Sequence, residues 1–433
     1  MSSKIPSASN LVRFSQSDLD EVIKLHKYFT IGRKGGARAA LKFLDLSKLD
    51  FRGADLSQAD FTGSCLMNAN LSRGKFVSAC FYACDLRNAN LENADFKRAD
   101  FRGAYVAGAN LSGADLDSAD LREGKIMEQN SDGTISNRKR AGTKGTENTW
   151  NAIFTGAQLT ETNLSGVKAI SADFSDADMS GVTINEADLT GVSFEGANLT
   201  DADFTGSNLT NANLQDSIMQ GTVLKSVEMQ GAITGSKSGG SMGETLEERG
   251  QNLEELLDSH KAWIASAGRD GSQMDLSGVD LRPMTTLNSY PLTAIKAIGA
   301  NFIDMDLTKV KMQSAILNEC SFRDSRMMGA DLRGSSLQNA TFARANLQDA
   351  NFSGLKFDNP NGGSVRIQRT NMSGAIFRYA DLTNVNMRDA ILMGADLTGA
   401  KLDNTDLRHA DLTGAILDNT DLSLARKQDA IID

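Results

Sequence analysis

Residues 109–126 read ANLSGADLDSADLREGKI, and leucine recurs in this stretch every five residues. Leu111, Leu116 and Leu121 are each preceded, two residues earlier, by an alanine. A step of five matches neither the 3.6-residue period of a helix nor the two-residue period of a strand. The spacing therefore indicates a chain built from short structural repeats.

The five-residue step continues through most of the chain. It runs from Leu41 to Ile126, from Phe154 to Met229 and from Phe302 to Leu422, and the stretch 359–367 disturbs it. In most pentads a small residue stands two places before the apolar centre, and the other three positions are typically polar. We interpret each pentad as one side of a square coil, with the large and the small side chain inside. Four pentads then close a coil of 20 residues, and coils stack about 4.8 Å apart.

This geometry requires residues 20 apart to lie one above the other. Phenylalanines in that register are Phe61, Phe81 and Phe101, Phe76 and Phe96, Phe322 and Phe342, and Phe357 and Phe377. We expect them to form aromatic ladders that fill the interior. A helical repeat is disfavoured because a five-residue step carries the apolar stripe around the whole cylinder. Disorder is disfavoured because every fifth residue is apolar.

Several stretches resemble the pentapeptide-repeat family, whose motif is A(D/N)LXX. They are ADLSQADFTGS (54–64), ANLENADFKRADFRGA (89–104) and ADLTGAKLDNTDLRHADLTGA (395–415). The resemblance implies an all-β solenoid, a right-handed quadrilateral β-helix. It implies no activity, since the family shares no catalytic residues and a fold does not determine a function.

The chain also reads as an internal duplication. Aligning LDEVIKLHKYFTIGRKGG with LEELLDSHKAWIASAGRDG matches His26 with His260 and Phe29 with Trp263. We predict a helix spanning ETLEERGQNLEELLDSHKAWIASAGRDG (244–271), which includes Leu246. The predicted segments are a cap helix and lead-in (1–40), a solenoid (41–126), an inserted hairpin and basic loop (127–150), an acidic solenoid (151–233), a Gly/Ser linker and second cap helix (234–273), a solenoid (274–425) and a tail (426–433).

The two helices are interpreted as caps. An open solenoid end exposes unpaired strand groups and apolar core, and a helix that covers it prevents end-to-end aggregation. His26 and His260 have no further ligands at metal-binding spacing, so we expect them to pack on the apolar helix face. The four cysteines form no disulfide framework and are expected to be free thiols, which favours a reducing cytoplasm.

Charge is concentrated in one segment. The net charge of −10 argues against direct binding to nucleic acid or anionic membranes. No apolar run is long enough to span a membrane, and the first residues lack the apolar region of a secretory signal. Residues 150–235 hold 11 acidic and 2 basic side chains. This acidic column and the basic loop provide the candidate interaction residues: Asp173, Asp176, Asp178, Glu186, Asp188, Glu195, Asp201, Asp203, Arg138, Lys139 and Arg140.

No catalytic, phosphate-binding or metal-binding motif is present, so we expect neither an enzyme nor a cofactor. The main hypothesis is a rigid scaffold of a bacterial cytoplasm that binds a protein partner. A second hypothesis is an acidic DNA mimic that regulates a DNA-binding enzyme, because some members of the resembled family protect DNA gyrase. A third is a secreted bacterial effector. The sequence leaves the partner and the oligomeric state open.

Overall fold

The computed structural model describes residues 11–125, 127–129, 135–137, 149–235, 244–284, 287, 290, 292–357 and 366–432. The chain divides into two compact units, Met1–Lys237 and Ser238–Asp433. Each unit has its own buried core.

Helices and extended strands account for a small part of the described chain. The helices are α1 (Gln16–Thr30) and α2 (Leu253–Ala265). The strands are β1 (Val12–Arg13), β2 (Leu44–Asp45), β3 (Gly124–Lys125), β4 (Met127–Gln129), β5 (Ile135–Asn137), β6 (Thr149–Trp150), β7 (Asn213–Gln215), β8 (Ile233–Gly235), β9 (Leu355–Phe357) and β10 (Arg366–Gln368). The other described residues form mainly a succession of turns, and single β-bridges join these turns.

Each pentad bends because it contains one β-turn. In the pentad centred on Leu56, the Ala59 N–H donates to the Leu56 carbonyl (3.0 Å), which closes a turn over residues 56–59. Gln58, the third residue of this turn, has φ 65°. A positive φ at that position is the signature of a type II turn, and it favours Gly, Asn and Asp. The polar residue two places after each centre therefore marks the corner of the coil.

Successive coils are joined by parallel bridges between residues 20 apart. Asp60 pairs with Cys80, and Cys80 pairs with Asp100. The Leu56 N–H donates to the Lys75 carbonyl of the next coil (2.8 Å), so the main-chain polar groups of neighbouring coils form hydrogen bonds with each other. The large and small residues of the pentads are buried except toward the ends of each unit, where Leu224, for example, is 37% exposed. These observations confirm the square coil of four pentads.

The aromatic ladders are confirmed with one exception. The rings of Phe61 and Phe81 are stacked with their centroids 4.7 Å apart, as are Phe322 and Phe342 at 4.9 Å. The expected pair of Phe357 and Phe377 is wrong. Phe377 stacks instead on Phe342 (4.9 Å), and Phe357 lies outside the core with 43% of its surface exposed.

An insertion of three pentad lengths explains this error. Ser336 pairs with Asn371, which is 35 residues further on, so the coil that ends at Phe352 resumes at Thr370. Between them, β9 and β10 form an antiparallel hairpin. Because the insertion is a multiple of five residues, the five-residue frame continues across it in the sequence, although the chain leaves the coil.

The first unit contains a longer insertion and is nevertheless one stack. Tyr105 pairs with Ile153 and Asp120 with Lys168, each 48 residues apart. The chain leaves the stack through β3 and returns through β6, which pair with each other, and β4 and β5 form a hairpin between them. The acidic solenoid is therefore built directly on the coils that precede the insertion.

The cap helices begin where side chains can satisfy their first amides. The Ser15 side chain caps α1 by accepting from the Asp18 N–H, and the Asn252 side chain caps α2 by accepting from the N–H groups of Glu254 and Glu255. The prediction that the second helix starts at residue 244 is wrong. Gly250, with φ 62°, ends a separate turn before the Asn252 cap, and Leu246 lies buried ahead of the helix.

Candidate interaction surface and capped ends

The acidic residues of segment 152–235 surround its coils. The bridges form four ladders, one on each side of the coil, and each ladder carries one of the predicted aspartates. These four residues are Asp173, Asp178, Asp188 and Asp203. Negative charge is thus presented in every direction around this part of the first unit.

The bridge aspartates also hold the turns. The Asp178 carboxylate accepts from the Ser180 N–H (3.2 Å) and its hydroxyl (2.9 Å), and Asp203 is bonded by Thr205 in the same way. The hydroxyl and amide of Thr205 lower the pKa of Asp203. Burial raises the pKa of Asp173. Because their turns hold these carboxylates by hydrogen bonds, the negative charges on this surface have fixed positions.

The other four predicted acids differ in exposure. Glu186 and Asp201 are exposed at coil corners, where both have positive φ, and Glu195 is half-buried. The expectation that all of these acids face outward is wrong for Asp176, which is only 4% exposed. The Asp176 N–H donates to the Glu195 carbonyl (2.8 Å), and the exposed corners Glu186 and Asp201 make the same bond to the next coil.

Some aspartates at the same position in the first coils of this unit are neutralised by an arginine. Asp100 and Asp120 are each bound through two oxygens by an arginine two residues further on, Arg102 and Arg122. In segment 152–235 the position two residues after Asp178, Asp188 or Asp203 is Ser or Thr. The aspartate accepts a hydrogen bond from the turn in both cases, but only the arginine neutralises the charge of the carboxylate. The absence of these arginines contributes to the net negative charge of the segment.

The predicted basic residues Arg138, Lys139 and Arg140 lie outside the described residues. In the described part of the chain, no group of three or more His, Cys, Asp or Glu side chains is placed to hold a metal ion. Neither described helix is both long and apolar enough to cross a membrane. Cys65, Cys84 and Cys320 are buried free thiols and Cys80 is half-buried, as predicted.

The first capped end is fastened by His26. Its side chain is fully buried, and its Nδ1 accepts from the Ala39 N–H (2.9 Å). Its Nε2 lies 2.9 Å from the Ser57 carbonyl oxygen, which can only accept, so the ring is neutral with its proton on Nε2. Phe29, half-exposed, packs against this ring with centroids 5.5 Å apart. Burial lowers the pKa of His26.

His260 repeats this arrangement at the second cap. It is fully buried, its Nδ1 accepts from the Met274 N–H (3.1 Å), and its Nε2 donates to the Thr293 carbonyl (2.9 Å). Trp263 stacks on the ring with centroids 5.7 Å apart. Burial lowers the pKa of His260 as well. The aligned histidines are therefore equivalent in their hydrogen bonds as well as in sequence.

Sequence reasoning missed the other residues that close the ends. The Gln16 side-chain amide donates to the Asp50 carbonyl and accepts from the Asp50 N–H, both at 2.9 Å. It replaces the main-chain bonds that a preceding coil would make. At the second cap, the Arg249 guanidinium donates to the carbonyls of Ser277 and Gly278, both at 3.0 Å. A polar side chain on a cap carries no periodic signal, so nothing in the sequence marked these two.

Comparison with protein families supplies the assignment. The family model for pentapeptide repeats matches eight times, over residues 37–73, 79–117, 150–181, 187–225, 292–324, 325–359, 365–394 and 390–426. These matches cover more than half of the chain. The chain belongs to the pentapeptide-repeat family. The fold is accordingly a right-handed quadrilateral β-helix.

Solved structures of other pentapeptide-repeat proteins are similar to this chain. HetL, involved in heterocyst differentiation regulation in Nostoc sp. strain PCC 7120, is 20% identical over 92% of this chain and 93% of its own, with a TM-score of 0.14. Rfr23 from Cyanothece 51142 is 24% identical over 35% of this chain and 84% of its own, with a TM-score of 0.15. QnrB1, a plasmid-mediated fluoroquinolone resistance protein, is 20% identical over 45% and 91%, with a TM-score of 0.21. No curated protein matches significantly.

Proposed function

We propose that this pentapeptide-repeat protein is a non-enzymatic cytoplasmic scaffold, and that segment 152–235 binds a basic surface of a protein partner. The proposal rests on one observation. The four ladders of this segment carry aspartates that are fixed by their turns and followed two residues later by Ser or Thr, whereas several bridge aspartates of the preceding coils, such as Asp100 and Asp120, are neutralised by an arginine at that position.

Such a surface suits recognition by charge. Fixed carboxylates lose little conformational freedom when a cation approaches, and complementary charge sets partner choice and association rate. Because each contact on a solvated surface contributes modestly, binding depends on several of them acting together.

The native sequence offers a substitution that removes charge without removing the turn. Asn198 accepts from the Thr200 N–H (3.1 Å) on the same ladder as Asp178, so asparagine serves the turn equally well. We expect the triple variant Asp178→Asn, Asp188→Asn and Asp203→Asn to fold normally and to capture its partner from source-cell lysate about tenfold less well, three contacts of about 0.5 kcal/mol each.

The matched control carries three such changes in the preceding coils: Asp55→Asn, Asp95→Asn and Asp115→Asn. Their carboxylates accept the same turn bonds, from Ser57, Lys97 and Asp117. This control should capture the same partner as the native protein. If both variants capture the partner equally poorly, or if both capture it as well as the native protein does, segment 152–235 is not the binding surface.

A second candidate function is mimicry of DNA toward a DNA-binding enzyme such as DNA gyrase. The observation that favours it is the placement of acidic residues on all four ladders, since a duplex presents negative charge on all sides. Inhibition or protection of gyrase in a supercoiling assay, lost in the triple variant and kept in the control, would support it. No effect at micromolar protein would remove it. The structure gives the third hypothesis, a secreted effector, no specific observation.

A further inference from the structure

The two buried histidines do more than fill space under the cap helices, because each joins its helix to the first coil by two hydrogen bonds. In a regular coil, the carbonyl after each centre accepts from an N–H of the coil below, as the Val77 carbonyl accepts from the Gln58 N–H (2.8 Å). At the open end, His26 Nε2 takes that role for Ser57, and His260 Nε2 takes it for Thr293.

The other ring nitrogen must remain an acceptor. Nδ1 faces the Ala39 N–H at the first cap and the Met274 N–H at the second. A proton on Nδ1 would put two donors face to face, leave a buried amide without an acceptor and place a charge in the buried site, and each of these is unfavourable. Only the neutral ring fits either cap.

We infer that the two histidines form a pH-sensitive latch, which holds both cap helices on their solenoids when neutral and releases them in mild acid. Release lets the protonated ring reach water. It also uncovers the Ser57 and Thr293 carbonyls and the apolar core beneath, which includes Leu41 and Leu276.

The surroundings of the rings oppose a charge at both sites. Burial is the largest influence on His26, and the charged groups that act on it are Asp55, which favours the imidazolium, and Arg38, which disfavours it. At His260 burial disfavours the imidazolium and outweighs the Thr293 carbonyl, which favours it. The Phe29 and Trp263 rings would favour a cation, but this effect is smaller than the loss of the buried acceptor.

The direction of the pH effect follows from linkage. The released state takes up its proton near the ordinary pKa of 6.5, and the capped state does so only at lower pH. The contribution of each latch is therefore complete above about pH 6.5 and is lost as the pH falls toward the lower value of the capped state.

Hydrogen exchange of the full chain tests the latch. After correction for intrinsic rates, we expect amides of 16–30 and 253–265 to exchange up to about 30-fold faster at about pH 5 than at about pH 7.5, while the central coils do not change. The variant His26→Gln, His260→Gln should lose this difference, because an amide donates and accepts at any pH. His409→Gln, at the partly exposed third histidine, should keep it.

Two results would overturn the proposal: cap amides that exchange equally at both pH values, or a glutamine variant that stays acid-sensitive. If the variant fails to fold, the nitrogen chemical shifts of the histidine side chains, measured by NMR on the native protein, still test the proposal. His26 and His260 must show the Nε2-protonated tautomer at neutral pH, and their titration must coincide with the loss of helix signals. Titration with the helices still docked contradicts the latch.

Discussion

At the residue scale, the corner positions decide where large side chains can be placed. Phe43 sits at a corner with φ 52°, unusual for a bulky residue, and its ring lies over Gly63 of the next coil. A Cβ on Gly63 would lie 2.5 Å from that ring, and Phe43 is buried and cannot move aside. The sequence predicts the corner by its period, but the contact depends on stacking of the two coils.

Alanine at Gly63 should therefore be costlier than alanine at Gly53, a corner of the preceding coil with φ 67° and nothing within 4 Å of the added Cβ. Gly53→Ala should lower the free energy of unfolding by about 1 kcal/mol, the cost of holding alanine in the left-handed conformation. Gly63→Ala adds overpacking, about 1–3 kcal/mol more. Denaturant unfolding of the full chain measures both, and equal losses would contradict the contact.

At the element scale, the hairpin of β9 and β10 shows where sequence reading fails. Phe352, Phe357, Ile367 and Met372 keep the five-residue register and only Gly362 interrupts the apolar centres, yet Phe357 and Ile367 are 43% and 44% exposed. Period alone cannot distinguish a pentad in the stack from one in an insertion of three pentad lengths. The NPNGG turn residues were the available signal.

Removing residues 355–369 joins Gly354 to Thr370 and leaves Phe352 and Met372 five residues apart, as in any other pentad. Thr370 is fully buried at the small position of its pentad. We expect this variant to keep the second unit folded, within about 2 kcal/mol of the native unfolding free energy. Deletion of 355–367 breaks the frame and should disrupt the coils that follow. Equal damage from both deletions would mean that the hairpin is part of the solenoid.

At the scale of the whole molecule, the architecture of each unit was predictable because one period determines which residues are buried. The placement of Asp173, Asp178, Asp188 and Asp203 on four sides also follows from a 20-residue coil. The burial of Asp176 and the roles of Gln16 and Arg249 could not be predicted, because they depend on how neighbouring coils and caps meet. The same charge pattern thus has a predictable location and a less predictable exposure.

Disulfide trapping across the first insertion tests the stacked coil most directly. Asn110 and Gln158 pair across a bridge although they are 48 residues apart, and bridged Cα atoms lie within disulfide range. The variant Asn110→Cys, Gln158→Cys should form this disulfide under mild oxidation, identified by peptide mass mapping, with the native thiols remaining free. The comparison variant Asn110→Cys, Asn163→Cys places its second thiol on the next ladder, where Asn163 pairs with Asp115, and it should form no such disulfide. If the comparison variant crosslinks and the first variant does not, the coils after the insertion do not stack in this register and the continuous stack is wrong.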